Sequence, residues 1–518
     1  MDDDYQRYRR EQEEAVSNQS GSSAMDVFFV LIPNASCILA ACTMLTLCGP
    51  YVSSPTKLLV EFSMTIVPII LCVTVLAEKT VSISQVLLII AAGNILSILA
   101  VKPKDSVRSS QFSGTQRLPF LTNFRAMTNI ITVVCILAVD FKCFPRKFAK
   151  TETYGYSLMD LGVGLFLMAN AFVAPEARRV TDFSMNFHAK GFVQILKECV
   201  PLLVLGFGRL VAVEVLGYQR HVTEYGVHWN FFLTLAGVKL FTEVLSKKLT
   251  TTYSMITGVW ILIMHEYALS TKGLKEWVLS DAPRDDILSA NREGWVSIPG
   301  YVGLYLIGIA LGRLIYSTLQ NNENQLVINI KLSGYEFHVG YSRSMLLTVE
   351  FYLISNFSFV VTYYCERYFG VSRRLANSGY CAWMVTMSAL MITFLLLIDV
   401  LLECIANCVH DKTRRRVSKH LIRENLKTKE KTVNVVKTLE IFEAVNDNGL
   451  LFFLFANVMT GAINMSMKTL RADDQRAVAI ITAYMVANLS FVVLRYRGKN
   501  LLRTQKIPKP SSESLESK

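Results

Sequence analysis

The sequence predicts an all-α, polytopic integral membrane protein with about thirteen transmembrane helices, and three observations carry that expectation. Apolar side chains make up 52% of the 518 residues and charged ones only 18%, well under the ~25% charge of soluble domains. The apolar residues gather into runs near the ~20 residues a helix needs to cross hydrocarbon. Lysine and arginine concentrate between those runs and in the C-terminal tail, as in cytoplasmic loops, so the net charge of +12 requires no nucleic-acid partner.

Taken in order, the expected spans lie near 25–48, 58–77, 84–101, 121–139, 157–174, 193–213, 228–246, 252–270, 298–316, 345–363, 381–403, 447–466 and 476–494. The opening MDDDYQRYRREQEE lacks the short apolar core of a cleavable signal peptide, so the first span is expected as an uncleaved anchor. An odd count places the termini on opposite sides. The basic runs DKTRRRVSKHLIRENLKTKEK and RYRGKNLLRTQKIPK then put the C-terminus in the cytosol and the N-terminus in the lumen. Three regions follow: a disordered lumenal tail over 1–24, a membrane domain over 25–496 with a basic cytosolic loop at 404–446, and a disordered basic tail over 497–518.

The eleven cysteines form no CxxC pair and lie mostly inside apolar stretches, which reads as small buried hydrophobes; only Cys365 and Cys381 flank a loop that a disulfide would close. Ionisable residues beside spans are functional candidates, because burying them is costly. They cluster. The densest segment is LAVDFKCFPRKFAKTETYGYSLMD, from Leu137 to Asp160, where Phe141, Phe144 and Phe148 alternate with cations as in a chain lying along the interface. Its lumenal cations Lys142, Arg146, Lys147 and Lys150 break the charge rule locally and point to an anionic ligand such as a lipid phosphate; the alternative is a structural ion pair between Asp140 and Lys150.

A second cluster, GFGRLVAVEVLGYQRHVTEYGVHWNFF, carries Arg209, His221, Glu224 and His228, the last two expected on one helical face at i, i+4. No third ligand is spaced for a metal, which leaves a histidine–carboxylate network around a polar headgroup. A third set comprises NREG with Asn291, SRRLAN with Arg373 and Arg374, and the stripe of Asn457 and Asn464, the stripe equally readable as interhelical glue. There is no GxSxG elbow, Walker loop, HExxH or dinucleotide fingerprint, and no motif set of the membrane-bound O-acyltransferases.

Read together, LPFLTNFRAMT, ILAVDFKCFPRKFAKTETYGYSLMDLGVG, GFGRL, GYQRHVTEYGVHWNFF, NREG, SRRLAN and NGLLFFLFANVMTGAIN strongly resemble the PIG-W family, the inositol acyltransferases of GPI-anchor biosynthesis, over about residues 118–466. The resemblance implies a multi-pass enzyme of the endoplasmic reticulum, surrounded by that membrane's lipids. It would transfer an acyl chain, typically palmitoyl, from acyl-CoA as co-substrate, with no permanently bound cofactor, to the inositol 2-hydroxyl of glucosaminyl-phosphatidylinositol. It implies catalytic roles for Asp140 and Lys150. Substrate contacts would come from Arg125, Arg146 and Lys147 at phosphate, and from Asp160 and Glu224 at amine and hydroxyls. Glu152, Tyr154, Arg209, His221, His228, Trp229, Asn230, Asn291, Arg373, Arg374 and Asn457 complete the expected surface. The competing class is a transporter or scramblase, against which stand the missing repeats and the placement of charge at one membrane face.

Overall fold

The computed structural model describes residues 2–17, 19–100, 118–178, 192–215, 222–245, 247–271, 273–320, 326–332, 335–420 and 435–505. Every span expected from the apolar runs contains a helix. The helices are α1 (Asp2–Val16), α2 (Ala24–Cys48), α3 (Ser54–Val73), α4 (Ala77–Ala100), α5 (Pro119–Ala138), α6 (Leu161–Ala171), α7 (Phe192–Val215) and α8 (Phe231–Val244). They continue with α9 (Ser254–Thr271), α10 (Arg292–Gln320), α11 (Arg343–Phe369), α12 (Ser378–His420), α13 (Glu440–Asp447), α14 (Gly449–Ser466) and α15 (Asp474–Gln505). Among the described residues nine helices are long and apolar enough to cross a membrane, not thirteen. The remaining expected spans fall short for local reasons. Helix α6 has 11 residues and α8 has 14, α7 carries Lys197, Glu198, Arg209 and Glu214, and α9, with 18 residues, includes His265 and Glu266.

Burial sorts the helices into centre and rim. In α5, 83% of the membrane window is buried, against 17% in α14; α2, α10 and α12 join α5 at the centre, and one continuous apolar core runs through them. The rim helices turn Leu88, Ile89, Leu96, Phe357 and Val458 outward, the apolar surface that lipid requires. Between α10 and α11 an antiparallel hairpin pairs β1 (Leu326–Leu332) with β2 (Tyr335–Tyr341), the one sheet among the described residues.

Local chemistry fixes the helix ends. Ser23 and Asp26 form a capping box at the start of α2, Asn230 caps α8 through the Phe232 and Leu233 N–H groups, and Ser342 caps α11. Helix α13 has no cap of its own; the Glu61 carboxylate, buried in α3, accepts from the Glu440 and Ile441 N–H groups at 3.0 and 2.8 Å, placing an anion where the helix dipole favours one. In α10, Gly300 lies against the Ala376 carbonyl so closely that a Cβ there would stand 1.9 Å from the oxygen. No larger residue fits while the 371–377 loop lies on α10.

Two expected tails are ordered in part. Residues 2–16 form α1, which packs on the turn between α14 and α15: the Tyr8 hydroxyl meets Thr469 Oγ1 at 3.2 Å, and Arg471 pairs with Asp4 and Glu11, both at 3.0 Å. Helix α15 continues past residue 497, with Arg497 paired to Glu440 and Lys499 to Asp447. The disorder expected over 506–518 lies outside the described residues, as does the basic stretch 421–434 of the loop expected at 404–446.

Candidate active site

One end of the helix bundle gathers the segments that the sequence singled out. The Ser22–Tyr156 bridge joins the chain before α2 to the 140–160 segment, the Gly155 N–H donates to the Val371 carbonyl, and the His228 N–H donates to Asn291. Phe141, Phe144 and Phe148 are buried among these segments, not turned toward lipid as expected. They anchor the loop to the protein, and its cations are thereby held at defined positions.

Asp140 follows the last turn of α5. Its Oδ2 accepts from Asn464 Nδ2 of α14 at 2.7 Å. Arg146 reaches back and donates to the carbonyls on either side of it, Val139 at 2.8 Å and Phe141 at 3.1 Å, so the turn bearing the carboxylate is tied from two directions. Burial pushes the Asp140 carboxyl up to about 6, while the Asn464 donation and the charges of Arg146 and Lys150 pull the other way. That combination leaves a carboxylate basic enough to accept a proton near neutrality.

Lys150 does not pair with Asp140. Its Nζ meets Glu224 Oε1 at 2.5 Å, which leaves further N–H donors on the ammonium. Burial alone would raise the Glu224 carboxyl, but Lys150 and Arg373 hold it down at about 2. Arg373 in turn donates from Nε to Asp160 at 2.8 Å, and Asp160 also accepts from the Thr151 hydroxyl and N–H. Lys150, Glu224, Arg373 and Asp160 thus form one charged network, flanked by Tyr225, over whose ring the Arg373 guanidinium lies, and by Arg209, whose charge also acts on Glu224.

A second, deeper network adjoins it. Arg374 donates to Glu293 at 2.7 Å, and Arg284 forms a bidentate pair with the same carboxylate. Arg292 binds the Ser280 and Ala282 carbonyls. The Glu152 carbonyl accepts from Arg374, and Tyr154 packs its ring toward Gly370 and Lys275. Arg284, Arg292 and Glu293 were absent from the expected site; the NREG motif contained two of them, but an adjacent arginine and glutamate look like a solvated helix start until the fold buries them. Asn464 was read only as part of a polar stripe, because its partner lies 324 positions away.

Other expectations are corrected by position. Arg125 binds Asn446 Oδ1 at 2.7 Å near the start of α5, about 20 Å along the helix from Asp140 at 1.5 Å per residue, so it cannot serve the same headgroup there. Lys147 pairs with Glu78 at 2.6 Å, and the Arg146 donors just described go to backbone carbonyls. Glu224 and His228 do not share a helical face: the helix Val222–Tyr225 ends at Gly226, whose φ of +110° suits glycine. The Trp229 ring packs on Gly294 and its indole N–H donates to Thr234; Asn230 ties α8 to the Gly206 carbonyl; Asn457 bonds within its own helix to the Phe453 carbonyl. His221 lies outside the described residues.

All eleven cysteines are free thiols, Cys365 and Cys381 included. Burial raises the Cys143 thiol to about 11, far from a reactive thiolate. Among the described residues no three His, Cys, Asp or Glu side chains are grouped to hold a metal ion.

The sequence model of the GWT1 family matches residues 8–495. A glucosaminyl-phosphatidylinositol-acyltransferase PIGW of Bos taurus is 33% identical, the alignment covering 94% of this chain and 97% of the relative. The human protein of that name is 31% identical over 93% and 96%, and GPI-anchored wall transfer protein 1 of Gibberella zeae is 32% identical over 93% and 95%. Matched nearly end to end by the family model and by relatives from mammals and a fungus, this multi-pass membrane chain belongs to the GWT1 family.

Proposed function

We propose that the chain is an acyltransferase of GPI-anchor biosynthesis that moves a long acyl chain, palmitoyl in the usual case, from acyl-CoA to the inositol 2-hydroxyl of glucosaminyl-phosphatidylinositol in the endoplasmic reticulum membrane. The relatives' printed names supply the reaction and the acceptor; the acyl-CoA donor and the compartment follow from the family resemblance. The observation that carries the chemistry is Asp140, half-buried, lifted to about 6 and oriented by Asn464.

An inositol hydroxyl is a weak nucleophile at neutral pH, so a base must remove its proton as the oxygen adds to the thioester carbonyl. In this reading Asp140 takes that proton and the new C–O bond forms. An ammonium donor, Lys150, stabilises the oxyanion; the C–S bond then breaks, and the proton held by Asp140 passes to the departing thiolate. Glu224 and Asp160 keep Lys150 and Arg373 in place. No covalent acyl-enzyme is needed, in keeping with the unreactive Cys143.

The test is transfer of labelled palmitate from palmitoyl-CoA to a glucosaminyl-phosphatidylinositol analogue by the purified full chain. Asp140→Asn, nearly the same in shape, is expected to lower the rate by ~100- to ~10,000-fold while the protein elutes as a folded species. A well-folded Asp140→Asn protein with near-normal turnover would refute the assignment.

A further inference from the structure

Beside the charged network lies a surface hollow of about 710 Å³ that no step of the transfer uses. Its volume falls within the ~300–1,000 Å³ of small-molecule sites. Glu152 and Thr153, only two and three residues after Lys150, line it together with Asp281 and the short apolar stretch Leu279, Ala282 and Pro283. Arg284 and the buried Arg292 and Arg374 line it as well, and Gln19 and Ser20, from the segment between α1 and α2, complete the lining.

The lining selects a ligand class. Three guanidinium groups are balanced by three carboxylates, Glu152, Asp281 and the buried Glu293 behind them. A polyphosphate such as the coenzyme's needs a net positive surface, and an acyl chain needs an apolar tunnel; this hollow is neither. It presents both signs of charge with neutral hydrogen-bonding groups between them. Its cations are also fixed in advance: Arg292 by the Ser280 and Ala282 carbonyls, Arg374 by Val278 and Glu293, and Arg284 by its bidentate hold on Glu293. Planar donors locked in this way bind an oxyanion with little further loss of freedom.

We propose that the hollow is a binding site for a zwitterionic carbohydrate, an amino sugar joined to a polyol phosphate, with its ammonium at Asp281 and its oxyanion toward the guanidinium groups. This rests on the function proposed above, in which the acceptor's glucosaminyl-inositol phosphate headgroup has that chemistry. The backbone from Lys150 to Thr153 spans at most about 10 Å, so a headgroup seated here lies alongside the network that ends at Lys150. Residues 19 and 20 become part of the substrate site, although the sequence places them in a tail.

The experiment measures binding of the deacylated headgroup, glucosaminyl-inositol phosphate, to the detergent-purified full chain, beside its N-acetylated form and inositol phosphate alone. The free-amine headgroup is expected to bind wild type about tenfold more tightly than the acetylated one, the effect of a single charge-assisted contact. Asp281→Asn and Gln19→Ala, both in the lining, are expected to weaken it severalfold; Asp281→Asn erases the preference for the free amine. In the transfer assay both raise the KM for glycolipid and leave the KM for palmitoyl-CoA in place. Headgroup binding indifferent to acetylation and to both substitutions overturns the site. If wild type transfers acyl groups normally while these variants keep their glycolipid KM, the hollow is misassigned and the proposed function stands. If the headgroup binds as expected but no acyl transfer occurs, the proposed function is what fails.

Discussion

At Asp140 the protein holds a carboxylate between opposing influences: burial raises its proton affinity, and the Asn464 donation together with two cations lowers it. The sign of each effect is testable. The base works deprotonated, so activity is expected to fall as pH drops through about 6. Removing the Asn464 donor takes away a bond that favours the charged form. Asn464→Leu is therefore expected to move the acid limb of the pH–rate profile to higher pH, by up to about one unit, where a purely structural lesion would lower the whole profile without displacing it. At this scale the sequence was informative about residue types and weak on partners. Asp140, Lys150, Asp160, Glu224 and Arg373 stand out because charged residues beside apolar runs are costly, and four of these five do meet in one network. Which carboxylate faces which cation depends on contacts over separations of 74 and 213 positions, and no local spacing encodes those.

Between helices, the decisive contacts are those in which one element completes another. Glu61 in α3 closes the N-terminus of α13, and Arg497 of α15 grips Glu440 on that same turn. Replacing Glu61 by Leu keeps an apolar shape in α3 but strands two backbone donors of α13; a loss of about 1–3 kcal/mol for an unsatisfied buried group is expected, read as a lower unfolding temperature in detergent. Glu61→Gln, which retains acceptor capacity at one oxygen, is expected to lose less. Elements were the most legible part of the sequence: runs of about twenty apolar residues have few alternatives to a helix in a membrane. The misses have physical causes. The 140–160 loop alternates phenylalanine with cations, a pattern an interfacial segment and a buried loop share, and only burial distinguishes them. The β1–β2 hairpin has the period-2 pattern of a strand pair, passed over beside the stronger helical signals around it.

Across the whole molecule, the helices alternate in direction, so the face bearing Asp140 also receives the turn between α14 and α15 and the first residues of the chain, while α15 ends at the other face near α13. The charge asymmetry of the loops leads to the expectation that this second face is cytosolic. Low apolar content made 1–24 read as a free tail, yet a segment too polar to form a core can still be held by charge. Helix α1 is fastened in that manner: exposed ion pairs tie Asp4 and Glu11 to Lys468 and Arg471, and both cations lie over the ring of buried Tyr8. Such contacts weaken as the screening length contracts from ~10 Å at 0.1 M salt to ~3 Å at 1 M, whereas the apolar core does not respond in that direction. Rising ionic strength is thus expected to release α1 alone and expose Arg7 and Arg10 to trypsin while the remaining chain stays resistant; cleavage at those sites with the same rate in low and high salt would show that Tyr8, not charge, holds the helix. Gln19 and Ser20 would stay at the hollow even then, because the Glu152 N–H donates to the Gln19 carbonyl and the Ser22 N–H to the Tyr156 carbonyl, so an enzyme assayed in concentrated salt, or carrying a highly charged N-terminal fusion, is expected to lose its first helix and keep the lining behind it.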